Sequence, residues 1–215
     1  MIIDERLAAY INTLAAPLPE LLGQIEQEAI AGQVPIIRKD MQSLLRFLVK
    51  SRKPERILEI GTAVGFSALL MREAAGEAAI TTIEKVPARI AKAKENFQRT
   101  GHDNDILLLE GDATRILEEL VQEKKSYDFI FMDAAKGQYL HFLEQIYILL
   151  EKDGMLVTDN VLQDGDVLQS RYAITRRDRT IHGRMREYLY TLTHSDKLET
   201  VILPVGDGVT VSIRK

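Results

Sequence analysis

The rhythm of apolar and polar positions changes near residue 55. Before it, LAAYINTLA, ELLGQIEQEAIAG and DMQSLLRFLVK repeat apolar residues at three- and four-residue spacing, which gives a helix one dry face. Pro17, Pro19 and Pro35 punctuate these helices. From residue 55 the chain alternates strand and helix patterns. RILEI, AITTIE, DILLLE, YDFIFMD and GMLVTD predict strands, with helices near 66–76, 87–100, 113–124 and 138–151. Such alternation predicts an α/β fold with a parallel, doubly wound sheet. LETVILPV and VTVSIRK then flank Gly206-Asp207-Gly208, which predicts a β-hairpin at one sheet edge. The expected whole is one domain over 1–215: a mostly parallel seven-stranded sheet (55–215), an antiparallel C-terminal hairpin and a helical N-terminal cap (1–51).

Composition narrows the function. A chain of 215 residues can bury one large core. Its net charge of −4 means that a nucleic-acid partner would need a local basic patch. The absence of cysteine excludes disulfides, thiolate zinc sites and cysteine nucleophiles. The opening MIIDERLAAYIN lacks the apolar core of a secretory signal, and no apolar run is long enough to span a bilayer. The expectation is a cytoplasmic protein without a membrane partner.

The chemistry gathers at predicted strand ends. Open α/β sheets bind ligands just beyond the carboxyl ends of their strands. Asp133 ends one strand, and Asp159 with Asn160 ends another. If the two strands are neighbours, two carboxylates and an amide oxygen converge, a hard oxygen set that suits Mg²⁺. Lys136 follows Asp133 by three positions.

The first strand runs into Glu59-Ile60-Gly61-Thr62-Ala63-Val64-Gly65-Phe66-Ser67. This spacing is neither a dinucleotide fingerprint nor a P-loop. Glu59 would repel phosphate and tolerate a cation. Glu84 ends the second strand, where an acid can accept ribose hydroxyls. Gly111-Asp112-Ala113 follows the third, and Asp112 can accept from an adenine amine. A phosphate-free nucleoside with positive groups is implied, and S-adenosylmethionine fits best. The alternative is sharp turns capped by acids, with Asp112 as the N-cap of ATRILEEL.

In order, EIGTAVGFSALLM, TTIE, GDA, FMDAAKGQY and TDNV resemble the Rossmann-like class I methyltransferases of the catechol and caffeoyl-CoA O-methyltransferase family. The resemblance implies Mg²⁺ on Asp133, Asp159 and Asn160, with Lys136 and Asp133 at the catalytic centre. It implies cofactor contacts at Glu59, Gly61, Thr62, Ser67, Glu84, Gly111, Asp112, Ala113 and Asp133. Met41 resembles a family methionine near the cofactor, although RKDMQSLL departs from the plant pattern around it.

Substrate signals lie further on. Arg171, Arg176, Arg177, Arg179, Arg184 and Arg186 crowd one segment against a single acid, Asp178. Arginines beside an active site suit a polyanionic substrate. The alternative is a solvated helix face, with Ile174, Ile181, Met185 and Tyr188 on the buried side. Tyr139 and Tyr172 are candidates to stack on a base or to be core. VPI, ILEIGTAVGFSA, FMDAAKGQY, TDNVL and ILPVGDG resemble the bacterial tRNA 5-hydroxyuridine methyltransferase branch. That resemblance implies tRNA (anticodon loop) as partner, 5-methoxyuridine as product and a homodimer. Two rivals stand beside it: a small-molecule catechol or phenolic O-methyltransferase, and a cofactor-dependent RNA-binding module without catalysis.

Overall fold

A computed structural model of the chain describes residues 4–215, so the first three residues of the N-terminal stretch lie outside it. The cap comprises α1 (Glu5–Thr13), α2 (Glu20–Ala31) and α3 (Lys39–Arg52). Asp4 starts α1 by accepting from the Arg6 N–H. Leu22, Ile25 and Ala29 of α2 and Met41, Leu45 and Val49 of α3 join one apolar cluster with sheet residues Ile57, Phe129 and Val157. The α2 and α3 helices are therefore part of the core on one face of the sheet, whereas α1 buries no residue.

Strand and helix then alternate: β1 (Arg56–Ile60), α4 (Phe66–Ala75), β2 (Ala79–Glu84), α5 (Pro87–Thr100), β3 (Ile106–Glu110), α6 (Ala113–Gln122), β4 (Tyr127–Met132), α7 (Tyr139–Leu149) and β5 (Leu150–Thr158). The chain closes with α8 (Arg179–Thr193), β6 (Leu198–Leu203) and β7 (Val209–Arg214). The seven strands lie in the order β3-β2-β1-β4-β5-β7-β6. The first five are parallel, and β7 runs antiparallel to both β5 and β6. Strand pleating sends Ile57, Phe129 and Phe131 to the cap side, and Leu58, Ile60, Ile130 and Met132 to a second cluster with α6, α7 and α8.

β5 begins four residues before the expected GMLVTD. Glu151-Lys152-Asp153-Gly154 reads as a turn, yet Leu150 pairs with Tyr127 before the register shifts and resumes at Met155. Asp153 has a φ of 61°, so the irregularity is absorbed inside the strand.

Candidate active site

Register brings the two acids together. Ile60 pairs with Met132, and Met132 with Thr158. Asp133 and Asp159 therefore stand side by side, one step beyond adjacent parallel strands. Asn160 follows with a φ of 62°, a left-handed conformation that asparagine tolerates better than most residues. Its amide Nδ2 donates to Asp133 Oδ1 at 2.8 Å, and its backbone N–H donates to Asp159 Oδ1 at 2.7 Å.

The electrostatics are those of a cation site. Burial pushes Asp159 up to about 7, and repulsion from Asp133 adds to it. Burial also raises Asp133, against the Asn160 amide and the charge of Lys136. Two poorly solvated acids that repel each other gain from a divalent cation. Among the described residues no three His, Asp or Glu side chains gather as a metal cluster. The set is two acids plus an amide, which must turn its oxygen toward the ion. Such a set fits Mg²⁺, which usually keeps several waters.

A cavity of about 570 Å³ runs from this pair along the strand ends. Met41, Gly61, Thr62, Ser67, Glu84, Gly111, Asp112 and Ala113 line it with Asp133, Asp159 and Asn160. Gly61 has a φ of +109°, and a Cβ there would stand 2.1 Å from the Asp133 carbonyl oxygen. Only glycine lets the first turn pass so close to the β4 end. The Glu84 carboxylate accepts from the N–H groups of Ala63, Lys85 and Val86, each at 2.9 Å. Those bonds fix its direction and leave lone pairs for a ligand. Asp112 caps α6 by accepting from the Thr114 N–H, which lowers its carboxyl from the usual range. It lines the cavity as well, so its role as a cap does not take it out of the cavity wall.

A sequence model of the O-methyltransferase family matches residues 13–215. The chain belongs to that family. It is 32% identical to a caffeoyl-CoA O-methyltransferase of Medicago sativa, over 81% of this chain and 73% of the relative. It is also 32% identical to a catechol O-methyltransferase of Niastella koreensis, over 77% of each. A solved S-adenosylhomocysteine-bound methyltransferase of Podospora anserina superposes with a TM-score of 0.86 at 28% identity, over 98% of this chain and 94% of that one. The chain is thus an S-adenosylmethionine-dependent O-methyltransferase.

Other expected site residues fall elsewhere in this O-methyltransferase. Glu59 does not line the cavity; it is fully buried behind the glycine turn. It lies one residue short of the β1 end, so its side chain enters the sheet interior. Its carboxylate accepts from the Thr82 hydroxyl, which also shares a hydrogen bond with the Thr62 hydroxyl. Burial pushes Glu59 up to about 7. It braces the turn from behind and does not reach the ligand space.

Tyr139 is core and offers no stacking surface. It packs edge-on against Tyr188 at 5.4 Å and donates its hydroxyl to the Asp159 carbonyl. Lys136 starts a short 3-10 turn (Lys136–Gln138) and is half-buried outside the cavity lining. Its charge still reaches Asp133.

None of the segment arginines lines the cavity. Arg171, Arg176 and Arg177 are exposed, while Arg179 is half-buried and donates to the Ile174 carbonyl. Arg184 donates to the Gly137 carbonyl and ties α8 to the Lys136 turn. Met185 and Tyr188 are buried, so the second half of the segment is a helix with a solvated face. Arg38, Gln138, Phe142 and Asp207 also line the cavity. Proximity along the chain gave no sign of them; the quoted VPI and ILPVGDG stretches, which border Arg38 and contain Asp207, were the nearest signal.

Proposed function

We propose that this O-methyltransferase acts on the 5-hydroxyl of 5-hydroxyuridine in tRNA, at the wobble position of the anticodon loop, with Mg²⁺ held by Asp133, Asp159 and Asn160. The observation that carries this reading is the arginine segment. Among the described residues, Arg171, Arg176, Arg177, Arg184 and Arg186 form no ion pair, on a chain of net charge −4. Arginines without an acidic partner, on a segment tied by Arg184 to the Lys136 turn, suit a phosphate backbone. Tyr172, 87% exposed in the same segment, offers a face on which a base can stack.

The acceptor chemistry agrees. In 5-hydroxyuridine the O5 hydroxyl neighbours the C4 carbonyl, so two adjacent oxygens can face one cation as in a catechol. A base reaching acids at the strand ends of this cavity must leave its stack. When bound, the cation stabilises the developing oxyanion and the sulfonium supplies the methyl group. Asp133 and Asp159 aim that cation, and Tyr139 fixes the strand end that carries Asp159. Lys136 Nζ either takes the hydroxyl proton or, as an ammonium, pairs with the oxyanion. Gly61 lets the first turn approach the Asp133 end of β4, and buried Met41 and Phe142 add apolar surface to the cavity wall.

A second reading is a small-molecule catechol or phenolic O-methyltransferase, and the names of the relatives favour it. The two share donor, fold and metal set, and differ in what the arginines do. Purified protein with Mg²⁺ and labelled S-adenosylmethionine decides between them. Conversion of 5-hydroxyuridine in tRNA to 5-methoxyuridine, well above catechol turnover, is expected. Efficient catechol methylation with inert tRNA would replace the first reading by the second. We also read the protein as a homodimer, because Leu7, Tyr10, Ile11, Leu14 and Phe47 leave apolar surface exposed on the cap. Among the described residues no helix is long and apolar enough to cross a membrane.

A further inference from the structure

The end of the cavity at the Asp133–Asp159 pair, where an acceptor oxygen would meet a cation, is walled by two segments remote in sequence. One is the entry to α3, with Arg38 at its N-cap position. The other is the hairpin turn Gly206-Asp207. Asp40 joins them, accepting from its neighbour Met41 N–H at 2.9 Å and from Gly206 N–H across the gap at 2.8 Å. Arg38 Nη2 meets Asp207 Oδ1 at 2.8 Å beside that link. The turn is in turn bonded to the metal loop, since the Leu162 and Val161 N–H groups donate to the carbonyls of Asp207 and Gly208.

Three cationic residues line the cavity: Arg38, Lys85 and Arg89. Lys85 and Arg89 follow β2, at the cofactor end, and Lys85 pairs with Asp112. Arg38 is the cation on the acceptor side of the lining. Around it stand Asp40, Asp133, Asp159 and Asp207, a surplus of negative charge that repels any acceptor carrying an oxyanion. The joint between cap and hairpin does not need a guanidinium, because Asp40 already makes it through a backbone N–H. The Arg38 side chain also keeps 48% of its surface exposed, against 13% for Asp207. A planar group with five donors, half open to a ligand cavity, is built to receive a second oxyanion.

We propose that Arg38 is the specificity-determining residue for an oxyanion on the acceptor, phosphate or carboxylate, which takes over from the Asp207 carboxylate on the guanidinium. This inference rests on the acceptor end as read above, but not on the acceptor being RNA. Asp207 is then a built-in competitor: it holds Arg38 in place before the acceptor arrives and sets a threshold that a neutral acceptor never has to cross. The incoming oxyanion adds one negative charge to the site and displaces a carboxylate that is only 13% exposed, and that cost is the threshold an anionic acceptor has to overcome.

The test measures equilibrium binding to protein loaded with Mg²⁺ and S-adenosylhomocysteine. Two matched pairs are used: 5-hydroxyuridine with its 5′-monophosphate, and catechol with 3,4-dihydroxybenzoate. Wild-type protein is expected to prefer the anionic member of at least one pair about tenfold, the scale of a charge-assisted hydrogen bond. Arg38→Ala should bring that ratio near one, and Asp207→Asn should raise it. Preference within the nucleotide pair names phosphate as the anion. Preference confined to the catechol pair names carboxylate and removes the RNA reading while Arg38 keeps its role. Absence of preference in both pairs overturns the proposal. So does a ratio that falls equally in both variants, because a purely structural joint is broken from either side.

Discussion

Glu59→Gln isolates what a buried, unpaired acid costs this fold. Burial dominates at Glu59: the Ser67 and Thr82 hydroxyls lower its carboxyl only in part, and no cationic side chain offsets the repulsion from Asp133 and Glu84. Its carboxyl therefore titrates at about 7 in the folded protein, against 4.5 in an unfolded chain. Between those values the folded state holds a proton that the unfolded chain has released. Stability then falls as pH rises through the window and is lowest above it. At roughly 1.4 kcal/mol per pH unit the full effect is roughly 3 kcal/mol, of which roughly 2 kcal/mol falls between pH 5 and 8. Glutamine cannot ionise, so its stability relative to wild type should improve by about that amount from pH 5 to pH 8. Any packing cost of its NH₂ group is present at both pH values and cancels. Urea unfolding of both proteins, without divalent cation or cofactor, measures the difference. Asp159 is common to both proteins, and removing the Glu59 charge also lessens the repulsion on Asp133, which adds to the gain in the same direction. Parallel pH profiles for the two proteins would refute the reasoning.

Other perturbations reach the site and its supports. Asp159→Ala should abolish methyl transfer, as should chelation of the divalent cation, with the far-UV circular dichroism unchanged and S-adenosylmethionine still bound; wild-type turnover would remove the metal assignment. Gly208→Ala should destabilise the fold by about 2 kcal/mol or more, because its Cβ would sit 2.2 Å from Leu162 Cγ at a φ of +85°; an unchanged urea midpoint would contradict this. Replacing Arg176 and Arg177 together with Ala should weaken tRNA binding and flatten its salt dependence by roughly 1.4–1.8 units of slope. A slope equal to wild type would return both arginines to the solvated face of the protein.

What the sequence made visible follows from local periodicity. Each parallel strand is bracketed by helices of the other period, so strand ends, and the acids on them, could be placed before any fold was known. Asp133 beside Asp159 needed one further fact, that β4 and β5 are adjacent, which short crossovers favour. Side-chain direction was less legible. Glu59 stands in the glycine motif, but its place one residue short of the strand end turns it inward. Tyr139 lies in FMDAAKGQY, yet the start of α7 buries it against the strand that ends before Asp159. The Asp40–Gly206 contact spans 166 positions, and neither residue stands in a periodic run that would announce the other. Arg38 and Asp207 were invisible for the same reason.

The placement of β7 between β5 and β6 has a kinetic consequence. β6 and β7 can pair early, because a short turn joins them. Seating β7 against β5 instead closes a loop of about 50 residues that includes α8, a slower and less local event. Val161 and Leu162 draw their backbone partners from that hairpin. On refolding, helix content should therefore return before the loop after Asp159 takes its shape. Catalytic competence is a late product of folding here, and a chain caught with its hairpin undocked carries a nearly complete sheet and no working centre.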